Sequence, residues 1–375
     1  MPPIRARDLG LPFPGTPGPL NALTDVPGVL VGTTTLDHAG PPGAQGKGPA
    51  RTGVTAILPV GHDRTPRPVW AGFHALNGNG EMTGMHWVND AGYFVGPICI
   101  TNTHAIGAAH HGAVQWMIET YGDIWRDNHM WAMPVVAETY DGVLNDINAL
   151  HVTPDHALAA LRGAKAGPVP EGNVGGGTGM ICYEYKGGTG TASRRIEIDG
   201  QVFHLGCLVQ ANHGRRDWLT ILGAPVGRHL TEDRLLAIDK EQGSIIVTLA
   251  TDLPLSPDQL RRLAKRGSIG IGRGGSPGGN NSGDIFLAFS TANHMAVPAF
   301  APAIGTRQTL NDDLLDTVYE AAVQSIEESV VNAMVAARDM TTVKPAGLTV
   351  RALPHRALQE VMRQYGRLLP EAATA

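Results

Sequence analysis

The stretch "KEQGSIIVTLATD" (Lys240–Asp252) joins two kinds of chain. Charged, helix-favouring residues stop at Gly243, and a run of β-formers starts at once with Ser244. The run is apolar on both faces, the pattern of a strand covered on both sides. A serine hydroxyl is a weak nucleophile at neutral pH and needs a base. A serine that becomes the first residue of a chain has one: its own α-amine, whose unperturbed pKa is about 8. An internal serine reaches that state if its hydroxyl attacks the preceding carbonyl and the ester is hydrolysed. A small residue such as Gly243 before it leaves the carbonyl approachable. Ile245, Ile246, Val247, Leu249 and Ala250 would anchor the nucleophile in a central strand, and residues 232–242 would become a free tail. The bland reading is a helix C-cap that leads into a strand, so the dipeptide alone carries no chemistry.

Working outward, strands are predicted at 54–59, 69–73, 96–102, 130–138, 180–185, 195–198, 202–211, 218–222, 244–251 and 285–290. Helices are predicted at 106–121, 154–162, 257–266, 312–338 and 354–365. The second has Thr153 as N-cap, Pro154 in its first turn and Gly163 past its end; the third has Ser256 as cap with Gln259 three residues on. Strands come in blocks with helices between blocks. That argues for stacked sheets covered by helices, not a doubly wound parallel sheet. No polar linker divides residues 1–375, so one domain is expected.

Composition narrows the classes. The net charge is −5 and 17% of residues are charged, with no basic nucleic-acid footprint. No apolar run of about 18 residues is present. The N-terminus is Pro/Gly-rich without an apolar h-region, so it reads as an extended arm and not a signal peptide. A cytoplasmic protein is expected. Cys99, Cys182 and Cys207 match no zinc or redox spacing and read as small buried hydrophobes. The 48 glycines are clustered without a period, which marks tight turns and close backbone approaches.

Three familiar patterns fail in context. Gly270-Ile271-Gly272-Arg273-Gly274-Gly275 follows a predicted helix, whereas a dinucleotide loop follows a strand. Gly274-Gly275-Ser276-Pro277-Gly278 resembles a nucleophile elbow, but Pro277 has no N–H to give an oxyanion hole. His104, His110 and His111 lack the i, i+4 spacing of a helical zinc pair.

The polar clusters at strand ends are more informative. "VVAETYDG" places Glu138, Tyr140 and Asp141 at the end of one apolar strand. "LVQANHGRR" does so for Asn212 and His213, and "GGNNSGDIFLAFST" sets Ser282 and Asp284 before another. Each is an ordinary turn residue when taken singly. Together they supply oxyanion donors and carboxylates around a nucleophile.

These segments, with "RTGVTAILP", "ITNTHAIG" and "GNVGGGTGM" (Gly172–Met180), carry a resemblance over most of the chain. The sequence resembles the self-processing aminopeptidases that include L-aminopeptidase/D-amidase/esterase and the β-peptidyl aminopeptidases. The resemblance implies an α/β, four-layer αββα sandwich, layered like the N-terminal nucleophile hydrolases but connected differently. It implies a precursor cut between Gly243 and Ser244 into chains 1–243 and 244–375, associated as αβ units in a homo-oligomer, with a tetramer expected. Asn212 and Tyr140 would serve the oxyanion, and Glu138 would hold the substrate's free amine. Ser282 and Asp284 would lie beside the nucleophile; Asp284 stands where other members can have Glu, so its role is open between orienting the amine and shuttling protons. No metal or cofactor is implied, and the partner is a small peptide, amide or ester with a free amine. The alternative is acyl transfer to an amine, as in the related ornithine acetyltransferases, which use threonine at the cut; Ser244 and "ETYDG" favour hydrolysis. A non-catalytic glycine-rich protein would leave the strand-end polar residues without a reason.

Overall fold

β-Branched and aliphatic runs pair into two sheets, and two amphipathic sets of helices close over their outer faces. The computed structural model describes residues 4–39, 48–234, 241 and 243–370. In chain order its elements are β1 (Leu30–His38), β2 (Ala50–Leu58), β3 (Pro68–Ala75), α1 (Met85–Ala91), β4 (Tyr93–Val95), β5 (Ile98–Asn102), α2 (Ile106–Arg126), β6 (Val135–Thr139) and α3 (Pro154–Arg162). There follow β7 (Ile181–Cys182), β8 (Tyr185–Lys186), β9 (Gly188–Ile198), β10 (Gln201–Asn212), α4 (Val226–His229), β11 (Ser244–Thr251), α5 (Pro257–Ala264), α6 (Arg266–Arg273) and β12 (Gly283–Ser290). The chain ends with α7 (Leu315–Val335), the hairpin β13 (Met340–Val343) and β14 (Ala346–Val350), and α8 (His355–Gln364).

One sheet has the order β1-β2-β5-β6 and the other β4-β3-β12-β11-β10-β9. Strand alternation explains why β11 is apolar on both faces. Ile246 and Ala250 pack with Leu208, Leu287 and Phe289 against Ile57, Ile100 and Ala137 of the facing sheet. Ile245, Val247 and Leu249 pack outward with Leu260, Ile326 and Met334 of the covering helices. On the far side, Ala109, Ala113, Trp116 and Leu161 of α2 and α3 cover the four-stranded sheet. The layering is therefore helix, sheet, sheet, helix, as expected from the sequence.

The expected cap at Ser256 is present: Ser256 Oγ accepts from Gln259 N–H at 3.3 Å, and Gln259 Oε1 accepts from Ser256 N–H at 2.9 Å. Other expectations need correction. Residues 218–222 form no strand; Leu222 has a φ of 50° and closes a turn that bridges Ile221 to Ala224. Residues 180–185 are not one strand but the small hairpin β7–β8, reversed at Tyr183 and Glu184, both left-handed. Residues 130–138 are extended as a strand only from Val135, after Pro134. The N-terminal arm is not extended throughout: it makes a 3-10 turn at Arg7–Leu9, and Leu9, Leu11 and Phe13 are buried. The G-x-G-x-x-G stretch lies in α6 and its end, where Gly270 makes room for Ile326 of α7. Of the expected free tail, residues 235–240 and 242 lie outside the described residues.

A buried ion network ties the arm to the core. Glu328 on α7, fully buried, meets Arg194 of β9 at 2.8 Å and Arg7 at 2.7 Å, and accepts from Asn21 Nδ2 at 2.7 Å. Burial alone would push its carboxyl up; the Arg7 hydrogen bond and the charges of Arg194 and Arg7 outweigh this and hold it below the usual value. Removing one partner of such a group leaves the other charges buried and uncompensated. Glu328→Gln is expected to destabilise the protein by about 3–5 kcal/mol, read as a lower urea midpoint.

Candidate active site

Ser244 is the first residue of β11, and both neighbouring strands fix it. It pairs with Asn212 of antiparallel β10 and with Gly283 of parallel β12. Alternation puts Ser244 on the face of Ile246 and Asn212 on that of Leu208, both turned toward the other sheet. Ser244 is 6% exposed. Its Oγ donates to the carbonyl oxygen of Gly243 at 2.8 Å and accepts from Gly283 N–H at 3.1 Å. A Cβ at position 243 would overlap the carbonyl oxygen of Asn212, so glycine is required there by close approach of the β10 backbone.

Asn212 is held from both ends of its amide. Its Oδ1 accepts from Ile181 N–H at 2.8 Å, and its Nδ2 donates to the Tyr140 carbonyl at 3.0 Å. The second bond leaves one Nδ2 hydrogen for another acceptor. The preceding glycine-rich stretch makes this possible: Gly175–Gly179 is a buried 3-10 turn wedged between β2 and β9. Gly175 N–H donates to Thr35 and Gly176 N–H to Thr55, at 2.8 and 3.1 Å. That packing delivers Ile181 to Asn212. Tyr140, Asn212 and Gly243 line one cleft of about 110 Å³, with Val143 and Ile181 as its apolar wall. The Tyr140 ring is 39% exposed and lies over Gly142, its hydroxyl not bonded to Ser244.

Two expected carboxylates lie behind Ser244. Asp284 is fully buried and accepts from Ser282 Oγ at 2.5 Å and Asn77 Nδ2 at 3.2 Å, with Ile245 N–H also on its carboxylate. Glu138 accepts from Glu81 N–H at 3.0 Å and from the Thr103 hydroxyl. Burial raises the proton affinity of both, and these hydrogen bonds only partly offset it. A Cβ placed on Gly80 would stand 3.4 Å from Glu138 Oε1 and 3.3 Å from Gly283 Cα, so Glu138 looks across a glycine-sized gap at the Ser244 partner strand. Among the described residues Glu138 makes no ion pair with Lys or Arg, which leaves a buried carboxylate suited to a cation.

The structure thus gathers Ser244, Gly243, Asn212, Tyr140, Ser282, Asp284 and Glu138 where the ends of the two sheets meet. Other candidates have structural work. Asp141 is fully buried and pushed up to about 7 by burial, while it accepts from Asn145 Nδ2 at 3.0 Å. His213 and Cys182 are 3.8 Å apart, but burial drives the imidazole down to about 3 and the thiol further above its usual range, so they form no reactive pair. Among the described residues no three His, Cys, Asp or Glu side chains gather to hold a metal ion. Sequence reasoning missed Asn77 and Thr103. The "NGNGE" run after β3 was the available signal for the first, a polar cluster closing an apolar strand.

Residues 21–346 match peptidase family S58. The chain belongs to that family. It is 48% identical over 377 residues to β-peptidyl aminopeptidase BapA of Sphingosinicella microcystinivorans, covering 97% of this chain and 93% of that one. Its fold matches the L-aminopeptidase D-Ala-esterase/amidase of Ochrobactrum anthropi, described as a prototype serine aminopeptidase and a variant of the Ntn hydrolase fold. The TM-score is 0.93 at 58% identity, covering 97% and 99% of the two chains. It matches a β-aminopeptidase of Burkholderia sp. with a TM-score of 0.87 at 43% identity, covering 98% and 100%.

Within this S58 peptidase, Asn77 binds Asp284 twice, since Asp284 N–H also donates to Asn77 Oδ1 at 2.6 Å. Asn77→Ala is expected to lower kcat about 10–100-fold, the worth of a hydrogen bond to a charged group, with KM little changed in steady-state assays.

Proposed function

We propose that this S58 hydrolase is a self-processing aminopeptidase/amidase in which Ser244 is freed as an N-terminal nucleophile. The observation that carries the reading is Ser244 itself: a buried hydroxyl at the mouth of a central strand, bonded to the carbonyl oxygen of the preceding glycine. In processing, Ser244 Oγ bonds to the Gly243 carbonyl carbon, the C–N bond breaks, and the hydroxyl proton passes to the nitrogen. Water then hydrolyses the ester and leaves a Gly243 carboxylate and a Ser244 with free hydroxyl and amine. The chains 1–243 and 244–375 stay together because β11 is paired with β10, and β12 with β3, of the 1–243 chain.

In turnover, the Ser244 amine, directly or through Ser282, takes the hydroxyl proton and returns it to the leaving group. Asn212 Nδ2 and the Tyr140 hydroxyl stabilise the oxyanion, Tyr140 by swinging in from its exposed position over Gly142. Asp284 receives the Ser282 hydroxyl and faces the first peptide unit of β11. Of its two open roles, orienting the amine fits this placement. Glu138 pairs with the substrate's ammonium, which limits cleavage to the bond one residue from a free amine. Substrates are peptides, amides or esters of that class, among them L-aminoacyl peptides, D-alanyl amides and β-peptides, as the relatives' names suggest for those proteins. Family membership favours hydrolysis over acyl transfer to an amine. We further propose that the αβ units assemble as a homo-oligomer in the cytoplasm.

Intact-mass analysis is expected to give two chains, the shorter beginning Ser-Ile-Ile-Val; Ser244→Ala is expected to stay whole and inactive. A single uncut chain in an active preparation would sink the mechanism. Glu138→Gln is expected to raise KM for aminoacyl amides by about 10–100-fold while the cut at Ser244 proceeds, with the loss disappearing for N-acetylated esters.

A further inference from the structure

Glu241 stands three residues before Ser244 and is 7% exposed. Its two carboxylate oxygens accept from two different loops. Gly214 N–H donates to Oε1 at 2.5 Å, and Gly279 N–H donates to Oε2 at 3.0 Å. The first loop leaves β10 directly after Asn212. The second leads into Ser282, Gly283 and Asp284, and its Gly279 carbonyl also accepts from Asn77 Nδ2 at 3.0 Å. One carboxylate therefore ties the chain just ahead of Ser244 to the ends of both strands that flank Ser244. Burial raises the proton affinity of this carboxyl, with the two N–H groups acting against it. No step of turnover uses it.

The ladder begins at Ser244, so Gly243 takes no part in strand pairing. Attack on the Gly243 carbonyl requires that carbonyl to stay over Oγ, and a loose flank would spend most of its time elsewhere. We propose that Glu241 is a positioning residue for cleavage of the Gly243–Ser244 bond, clamping the upstream segment in register with Asn212 and Gly283. The proposal rests on the self-processing reading. Its work is confined to the step in which the Oγ–C bond forms, the C–N bond breaks and the proton moves from Oγ to nitrogen. After that step Glu241 belongs to the end of the α-chain, while Ser244 is held by β10 and β12.

Glu241→Gln keeps the size but removes the charge and turns an amide NH₂ toward one of the two N–H groups. Cleavage is followed by intact mass during cell-free synthesis of the full chain, and activity is normalised to N-terminal serine. The expected result is a cleavage half-time at least about tenfold longer than wild type, with unchanged kcat per processed chain. Glu241→Asp, which keeps the charge but is a methylene short of spanning both loops, is expected to fall between the two. Should Glu241→Gln fail to fold, Glu241→Asp is judged by the same two readouts. Cleavage at the wild-type rate would overturn the proposal. So would a loss of turnover per processed chain that matches the loss in cleavage rate, because the role would then be merely structural. A wild-type chain left uncut at Gly243–Ser244 would defeat the self-processing reading instead.

Discussion

The double pairing of Ser244 is the constraint on which the rest depends. β10 sets it beside Asn212 and β12 sets it beside Gly283, so its backbone has no freedom to drift. A nucleophile carried on a loop would need its own supports; here the ladder that builds the core also aims the hydroxyl. The same pairing dictates glycine at 243, where the β10 backbone comes too close for any side chain. The small residue is thus fixed by packing, and the exposure of its carbonyl to the Ser244 hydroxyl follows from that packing.

The site is assembled by two sheets, and the sandwich must hold them at a fixed offset. Glu138 and Tyr140 come from β6 and its end, while Ser244, Asn212 and Asp284 come from the six-stranded sheet. Between them lies an apolar layer of Ile, Leu, Phe and Ala side chains. Its density resists sliding, because interiors pack like crystals and not like oil. The polar pins are local: Gln210 Nε2 reaches across to the Thr101 carbonyl at 2.9 Å and to Thr139 Oγ1 at 2.7 Å. Asn212 then bonds the Tyr140 carbonyl from the same strand. The first pin lies two residues before Asn212, and the second is made by Asn212 itself.

Much of this was legible in the sequence, for identifiable reasons. The strands β11 and β12 were read almost to the residue because they are apolar on both faces and start at sharp polar boundaries. Helix α3 was bounded by Thr153 and Gly163, and α5 was started by Ser256 with Gln259. What failed was apolar sequence bent by backbone: 218–222 and 180–185 have the composition of strands but contain left-handed residues. β1 escaped because Leu30–His38 is rich in threonine and half-exposed, with no clean period. The site's main residues were visible as strand-end polar clusters, and the resemblance sorted them. Asn77 and Thr103 were not visible, because their importance lies in which distant backbone or carboxyl they touch, and spacing along the chain carries no record of that.

The three buried carboxylates around Ser244 illustrate how environment separates the roles of chemically similar groups. All are raised by burial, yet their partners differ. Glu241 gives one oxygen to a backbone N–H of each of two loops, so it bridges them. Asp284 has a hydroxyl, an amide and a strand N–H, all neutral donors next to the first residue of β11. Glu138 has one backbone N–H and one hydroxyl, and faces the gap lined by Gly80. Cutting the Gly243–Ser244 bond would add an ammonium beside Asp284 and a carboxylate two residues from Glu241. The first change relieves an uncompensated buried acid; the second sets like charges close together. The first change stabilises the cut chain and the second costs it, so the two act in opposite directions. Glu138 is left without a cation of its own, and an incoming ammonium is the group that would complete it.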